Sequence, residues 1–268
     1  MTVALGACIG AVMGLTGAGG GVLAVPLLIF ALHLRVSEAA PVALLATALA
    51  AGTGALLALR SATLRYRAAG LMAATGIAAT PLGIWLGRHM ANAALTAVFA
   101  TVLVYACVRL LLIGKSRATA SGAAGGAGPG MPCAFDPVAG RLRWTPRCAR
   151  ALGGAGLVSG VFASMLGVGG GFVIVPALAR VTDLDMRSIT ATSMAVVALV
   201  SIGSLGATWI AGTAIAWHVA LPFAGGALAG VLAGRRLALR VSAWRLQQSF
   251  AVLGLCVAGV LLVQAASA

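Results

Sequence analysis

The sequence predicts an all-α polytopic membrane protein built from two inverted repeats. Each repeat is one glycine-broken re-entrant or hairpin segment followed by three transmembrane helices. Three observations predict this. The 268 residues are 61% hydrophobic and only 8% charged, against about 25% charged in a soluble domain. A glycine cluster, Gly14 to Gly21, recurs about 150 positions later as Gly167 to Gly171. Each copy lies in a long uncharged run and is followed five residues on by a proline, Pro26 or Pro176. Finally, the basic residues sort onto one side of a membrane only when the second glycine-broken segment returns to the side it came from.

The elements follow in chain order. Val3 to Leu34 is uncharged, carries His33 near its end, and is too long for one ordinary span. Glycine clusters favour turns over helix, so this run divides into two arms. Its N-terminus lacks a basic region, and no cleaved signal peptide is expected. Spans over 39–59, 68–87 and 91–108 complete the first membrane repeat, residues 1–113. Residues 114–150 form a loop. Ser121 to Gly130 reads as an Ala/Gly-rich linker, and Phe135 to Trp144 reads as a small β-hairpin opened by Asp136-Pro137. Cys133 and Cys148 stand in this loop without a CxxC or a neighbouring histidine, so neither a disulfide nor a zinc site is expected of them. Residues 151–268 form the second membrane repeat. Ala151 to Ala179 holds its glycine turn, Ser188 to Gly234 makes two spans divided near Gly212-Thr213, and Leu246 to Ala268 is the last. Gly10 matches Gly160, and Gly83, Gly87 and Arg88 match Gly230, Gly234 and Arg235, as internal duplication requires.

Charge sets the orientation. If every segment crosses once, the basic residues divide ten against eight, which is no bias. If the segment carrying Gly167 enters and leaves on one side, sixteen face the cytoplasm and only Arg35 and Arg88 lie outside. We adopt the second arrangement, which places the central loop in the cytoplasm and makes the protein a multi-pass component of the inner membrane. Three crossings per repeat is an odd number, so the repeats are inverted. Arms of about 12 residues reach about 18 Å, a little more than half of a hydrocarbon core of about 30 Å. The two glycine turns should therefore meet near the midplane, as the broken helices of transporters do.

A turn at that depth leaves backbone groups that lipid cannot satisfy. Successive N–H groups, together with helix N-termini near Gly21 and Gly171, favour an anion. The candidate binding residues are Thr16, Gly17, Gly19, Gly20 and Gly21 of the first turn and Ser164, Gly167, Gly169, Gly170 and Gly171 of the second. Thr192 and Ser193 join them from the following span. The competing reading is that these glycines only allow close helix packing. A polar stripe of Thr190, Thr192, Ser193, Ser201, Ser204 and Thr208, with Thr47 and Thr53 in the first half, either lines a pathway or bonds back to its own helix.

Several classes are set aside. No Asp or Glu lies in a span, which argues against a carboxylate cation site or proton relay. His33, His89 and His218 all lie near segment ends, as interfacial histidines do. No HExxH, paired carboxylates or Ser/His/Asp set is present, so an enzyme is not expected. No cofactor or metal is expected either. The net charge of +14 is a topology signal and not a nucleic-acid footprint, because no basic domain exists to hold nucleic acid.

With Gly14-Leu15-Thr16-Gly17-Ala18-Gly19-Gly20-Gly21 and Pro26, Gly160 through Gly167-Val168-Gly169-Gly170-Gly171 and Pro176, and Ala191-Thr192-Ser193, the chain resembles the sulfite exporter TauE/SafE family of membrane permeases. The resemblance covers nearly the whole length. It implies an inner-membrane carrier of small sulfur-containing anions, such as sulfite or organosulfonates, working in export. The first repeat has Val42-Ala43 where the second has Thr192-Ser193, which shifts the expected polar site toward the second half. Alternative readings are a permease for a different small anion or organic acid, and a non-transporting membrane scaffold.

Overall fold

The computed structural model of the chain describes residues 1–16, 21–32, 34, 36–60, 64–90, 94–98, 100–105, 107–108, 133, 135–136, 141–142, 144–182, 184, 186–213, 216–238, 252 and 254–260. The first half contains α1 (Thr2–Thr16), α2 (Gly21–Leu32), α3 (Val36–Arg60) and α4 (Tyr66–His89). The second half contains α5 (Pro146–Leu166), α6 (Gly171–Val181), α7 (Met186–Ile210) and α8 (Trp217–Ala238). Between them lies the hairpin expected from the sequence, β1 (Phe135–Asp136) and β2 (Arg141–Leu142), antiparallel with Phe135 opposite Leu142. Helical residues also occur within 94–105 and at 254–260, inside two expected spans whose remaining residues lie partly outside the described set. Among the described residues five helices, α3, α4, α5, α7 and α8, are long and apolar enough to cross a membrane. Of these, α3 and α7 are the most buried.

Local sequence explains where the second half's helices begin and end. Thr145 caps α5 by accepting the Cys148 N–H at 3.1 Å, and Pro146 takes the first helical position. The helix therefore starts five residues ahead of the apolar run read from the sequence, and at 21 residues it is longer than the expected arm of about 12. It ends at Gly167, which adopts the left-handed φ of 73° and donates its N–H to Ala163 O at 2.9 Å. Gly212, at φ 77°, closes the turn between α7 and α8 where the sequence placed it.

Glycine seams set the helix directions. Gly6, Gly10 and Gly14 of α1 lie against Phe223, Ala227 and Val231 of α8, while Gly226, Gly230 and Gly234 lie against Val3, Ala7 and Ala11. Both numberings rise together, so α1 and α8 are parallel. On the other side of the molecule Gly156 and Gly160 of α5 pack on Met72 and Gly76, and Gly87 of α4 packs on Met165, so α4 and α5 are parallel too. A side-chain carbon at most of these glycines would strike the neighbouring backbone. Small residues here let two backbones touch, which is how helices gain contact energy in lipid. At the centre, Gly52 faces Ala198, Gly54 faces Met194, and the Arg65 N–H reaches Thr192 Oγ1 at 3.3 Å, so α3 and α7 are antiparallel. Gly76 faces Val200, Thr80 Oγ1 lies 3.4 Å from Ser204 Oγ, and Arg88 donates to Ala211 O at 2.7 Å, so α4 runs with α7. The helix pairings persist when the two halves are exchanged: α1 packs on α8 as α5 packs on α4.

The α5–α6 pair opens at a single end. Cys133 is disulfide-bonded to Cys148 in the first turn of α5, with a Cα–Cα distance of 4.9 Å. Its N–H also donates to Val181 O at 3.1 Å, and it forms a parallel bridge with Thr182 at the end of α6. The disulfide overturns the sequence expectation for these two cysteines. Fifteen residues separate them in sequence, and it is the return of α6 beside α5 that gives Cys133 a backbone strand to dock on. The two legs match in length: Cys148 to Ser159 and Gly171 to Thr182 each rise through eleven residue steps, about 16 Å. The ends of α3, α6 and α8 thus share one face with the starts of α4, α5 and α7. Arg65, Arg67, Arg147, Arg150, Arg187 and Arg235 gather at that face, and Arg88 lies at the other.

Reducing the Cys133–Cys148 bond, or replacing Cys148 by Ser, is expected to lower stability by about 3 kcal/mol for a loop of this length. The readout is a lower midpoint in thermal unfolding in detergent. An unchanged midpoint would show that the bond does not hold the hairpin closed.

Candidate functional site

The site is built around the turn from Gly167 to Gly171. Gly167, Gly169 and Gly170 have φ of 73°, 70° and 69°, a left-handed conformation that costs an ordinary residue about 1–2 kcal/mol. Gly170 O accepts Ser159 Oγ at 3.2 Å, Val173 N at 3.0 Å and Ile174 N at 3.3 Å. The first of these bonds draws the turn back against the middle of α5, and the other two start α6. The N–H groups of Gly169, Gly170, Gly171 and Phe172 have no acceptor among the described residues. Consecutive free N–H groups at a helix N-terminus form an anion-binding concavity.

Side chains from both halves surround this turn. A carbon added at Gly169 would lie 2.7 Å from Thr47 Cγ2 on α3 and 2.8 Å from Ser201 Oγ on α7. One added at Gly21, the first residue of α2, would lie 2.9 Å from Val168 O and 3.3 Å from Thr47 Oγ1. The start of α2 and the second glycine turn therefore meet at Thr47, near the midpoint of α3. Gly167 packs against the backbone of Ala40.

The structure sorts the hydroxyl groups into two kinds. Those of Thr53, Thr75, Thr80, Thr182, Thr190 and Thr208 donate to carbonyls three or four residues back in their own helices. Ser164, expected beside the turn, does the same to Gly160 O at 2.8 Å, and its oxygen faces Gly83 on α4. Thr192 Oγ1 accepts the Arg65 N–H. Thr47 Oγ1, Ser193 Oγ and Ser201 Oγ are buried and have no hydrogen-bond partner among the described residues. A buried polar atom left unpaired costs about 1–3 kcal/mol, so Thr47 and Ser201, on facing helices beside a donor-rich turn, indicate a place for a polar guest. Ser193 lies on the same α7 face as Ser201, two turns toward the start of the helix.

Among the expected site residues, Gly21, Gly167, Gly169, Gly170 and Gly171 come together, with Ser193 farther along the same wall. Ser164 and Thr192 are engaged elsewhere. Gly17, Gly19, Gly20 and the Thr16 side chain lie outside the described residues. Thr47 and Ser201 belong to the polar stripe in sequence, but only their lack of a partner singles them out. His89 and His218 are exposed at helix ends, and His89 Nδ1 lies 2.8 Å from Trp85 O.

The family model for the sulfite exporter TauE/SafE matches residues 2–261. A probable membrane transporter protein of Xylella fastidiosa strain Temecula1 is 27% identical over 252 residues, covering 91% of this chain and 86% of its own. Its counterpart from strain 9a5c is 27% identical over 249 residues, with the same coverage. No solved structure matches the chain.

Thr47→Val and Ser201→Ala each remove a buried hydroxyl without a partner, so stability is expected to hold or to rise by about 1 kcal/mol. Gly169→Ala is expected to lose about 1–2 kcal/mol from its backbone conformation alone. Thermal unfolding of the three variants side by side reads both effects. A clear loss of stability in Thr47→Val would mean that the hydroxyl is bonded within the protein.

Proposed function

The chain belongs to the sulfite exporter TauE/SafE family, and on that premise we propose that this membrane transporter carries a small oxidised-sulfur anion, sulfite or an organosulfonate, out across the bacterial inner membrane. The observation that carries the reading is the set of unpaired donors at the second glycine turn. A sulfite or sulfonate group presents three oxygens and negative charge. The N–H groups of Gly169 to Phe172 and the hydroxyls of Thr47 and Ser201 supply donors from three sides. Each hydrogen bond to a charged group contributes about 1.5–3 kcal/mol. No carboxylate is needed, and the acid that α3 carries, Glu38, stands in its first turn.

The helix directions support reading the halves as inverted repeats. Corresponding helices α3 and α7 run oppositely, and α1, parallel to α8, opposes α5. In this reading α5–α6 is a re-entrant hairpin, because the disulfide and the Val181 carbonyl bring its two ends to one face. α1–α2 is its counterpart from the other side. The anion sits where the halves meet, and rocking one half against the other exposes it alternately. The face that collects Arg65, Arg147, Arg187 and Arg235 is the cytoplasmic one by the positive-inside bias. The Cys133–Cys148 bond points the other way, since disulfides persist mainly in oxidising compartments. The charge bias sums over several loops and outweighs it.

Proteoliposomes loaded with labelled sulfite, an organosulfonate or sulfate test the function. Protein-dependent flux of sulfite or the sulfonate is expected. Flux of sulfate or an organic acid alone would replace the substrate, and flux of none would end the reading. Thr47→Val is expected to raise KM about tenfold through one lost hydrogen bond, and Gly169→Leu to abolish flux while leaving insertion intact. A cysteine placed at Ser121 should react with an impermeant maleimide only from the cytoplasmic side; labelling from outside would reverse the orientation.

A further inference from the structure

We propose that Arg235 forms a second anion station on the transport path, one step from the glycine-turn site toward the basic face; this rests on the transporter reading above. Arg235 lies in the last turn of α8 and is half-buried. Its Nη1 donates to Gly54 O on α3 at 2.7 Å. That carbonyl belongs to the interior of a helix and carries no charge. Among the described residues Arg235 forms no ion pair, and Glu38 stands at the opposite end of α3. A cation set among helices without a counter-ion is short of a negative partner.

Its position relative to the first site follows from helix geometry. Gly54 lies seven residues beyond Thr47 on α3, which is two turns, about 10 Å, along the same face. On the antiparallel wall, Met194 lies seven residues before Ser201, again two turns along one face of α7. The walls converge: a carbon added at Gly54 would lie 2.5 Å from Met194 Sδ and 3.6 Å from Arg235 Nη1. Both faces that border the glycine turn thus lead to Arg235, and the Met194 thioether stands beside it. Ser193, buried and without a partner among the described residues, lies in the same turn of α7 as Met194. An anion leaving the uncharged donors of the turn would meet this cation next. Its counterpart in the other half, Arg88, is differently placed: it is exposed and holds Ala211 O at 2.7 Å and Thr213 Oγ1 at 3.2 Å, closing the end of α7.

The test uses the full chain in liposomes with labelled sulfite. Arg235→Gln keeps a donor for Gly54 O and removes the charge; its KM is expected to rise about tenfold with the maximal rate little changed. Arg235→Lys keeps the charge and is expected to stay within about threefold of the parent. An unmoved KM in Arg235→Gln, or equal impairment in Arg235→Lys, would overturn the proposal in favour of a purely structural tie. If Arg235→Gln does not insert, Arg235→Cys in a chain with Cys8, Cys107 and Cys256 replaced by Ser decides. Alkylation with 2-bromoethylamine restores a cation and should lower KM, whereas iodoacetamide should not; equal effects would overturn the proposal. A parent protein that carries neither sulfite, sulfonate nor sulfate would overturn the substrate reading and this inference with it. Parent flux with an insensitive Arg235 would overturn this inference alone.

Discussion

A helix interrupted in the interior of a membrane protein must dispose of backbone groups that lipid cannot solvate, and that constraint governs this fold. The second glycine turn meets it unevenly. Gly170 O takes three donors and the Gly167 N–H closes onto Ala163 O, while the carbonyls of Gly167, Val168 and Gly169 take no donor among the described residues. The N–H groups that follow Gly169 find no carbonyl among the described residues either. The amides at the start of α6 are therefore available to an acceptor. The left-handed glycines make this possible, because reversing the chain within four residues leaves the amides pointing into one concavity.

Burying such a turn requires neighbours that come close. The glycine seams supply this on both flanks, between α1 and α8 and between α4 and α5. Lipid provides no hydrophobic force between helices, so contact energy has to come from backbone proximity. The cost is rigidity of direction, because a seam of glycines four apart admits one register. With both outer pairs locked parallel, α3 and α7 are left antiparallel in the middle, bringing the centre of each to the turn. Thr47 and Ser201 thereby reach the same point from opposite halves.

Much of this was legible in the sequence. The doubled glycine cluster marked both breaks, the starts of α2 and α6 fell at Gly21 and Gly171, and charge counting placed the two ends of the second hairpin on one side. Local pattern alone left the hydroxyls unsorted. Ser164 and Ser201 are both serines on apolar helices, and whether each bonds back four residues or faces a cleft depends on what packs opposite. Gly83 lies against Ser164, whereas the N–H-rich turn lies against Ser201. The Cys133–Cys148 bond was hidden for a related reason. A spacing of fifteen carries no motif, and the pairing depends on α6 returning to offer Val181 O to Cys133.

The duplication is not copied into the site. Thr47 corresponds to Val197 in the second half and Ser201 to Ala51 in the first, so each half contributes one hydroxyl from a register the other leaves apolar. A site made by one half would travel with that half, and its ligand would keep its contacts throughout. A site shared across the interface behaves differently. Any relative motion of α3 and α7 separates Thr47 from Ser201 and removes donors from the guest. The asymmetry of the two arginines works in the same direction. Arg88 is engaged by the end of α7, while among the described residues Arg235 holds only an uncharged carbonyl. In the transporter reading, an anion released between α3 and α7 would meet a less engaged cation on one face and an occupied one on the other. In the transporter reading, two halves of near-identical architecture thus give a path whose two exits differ in charge.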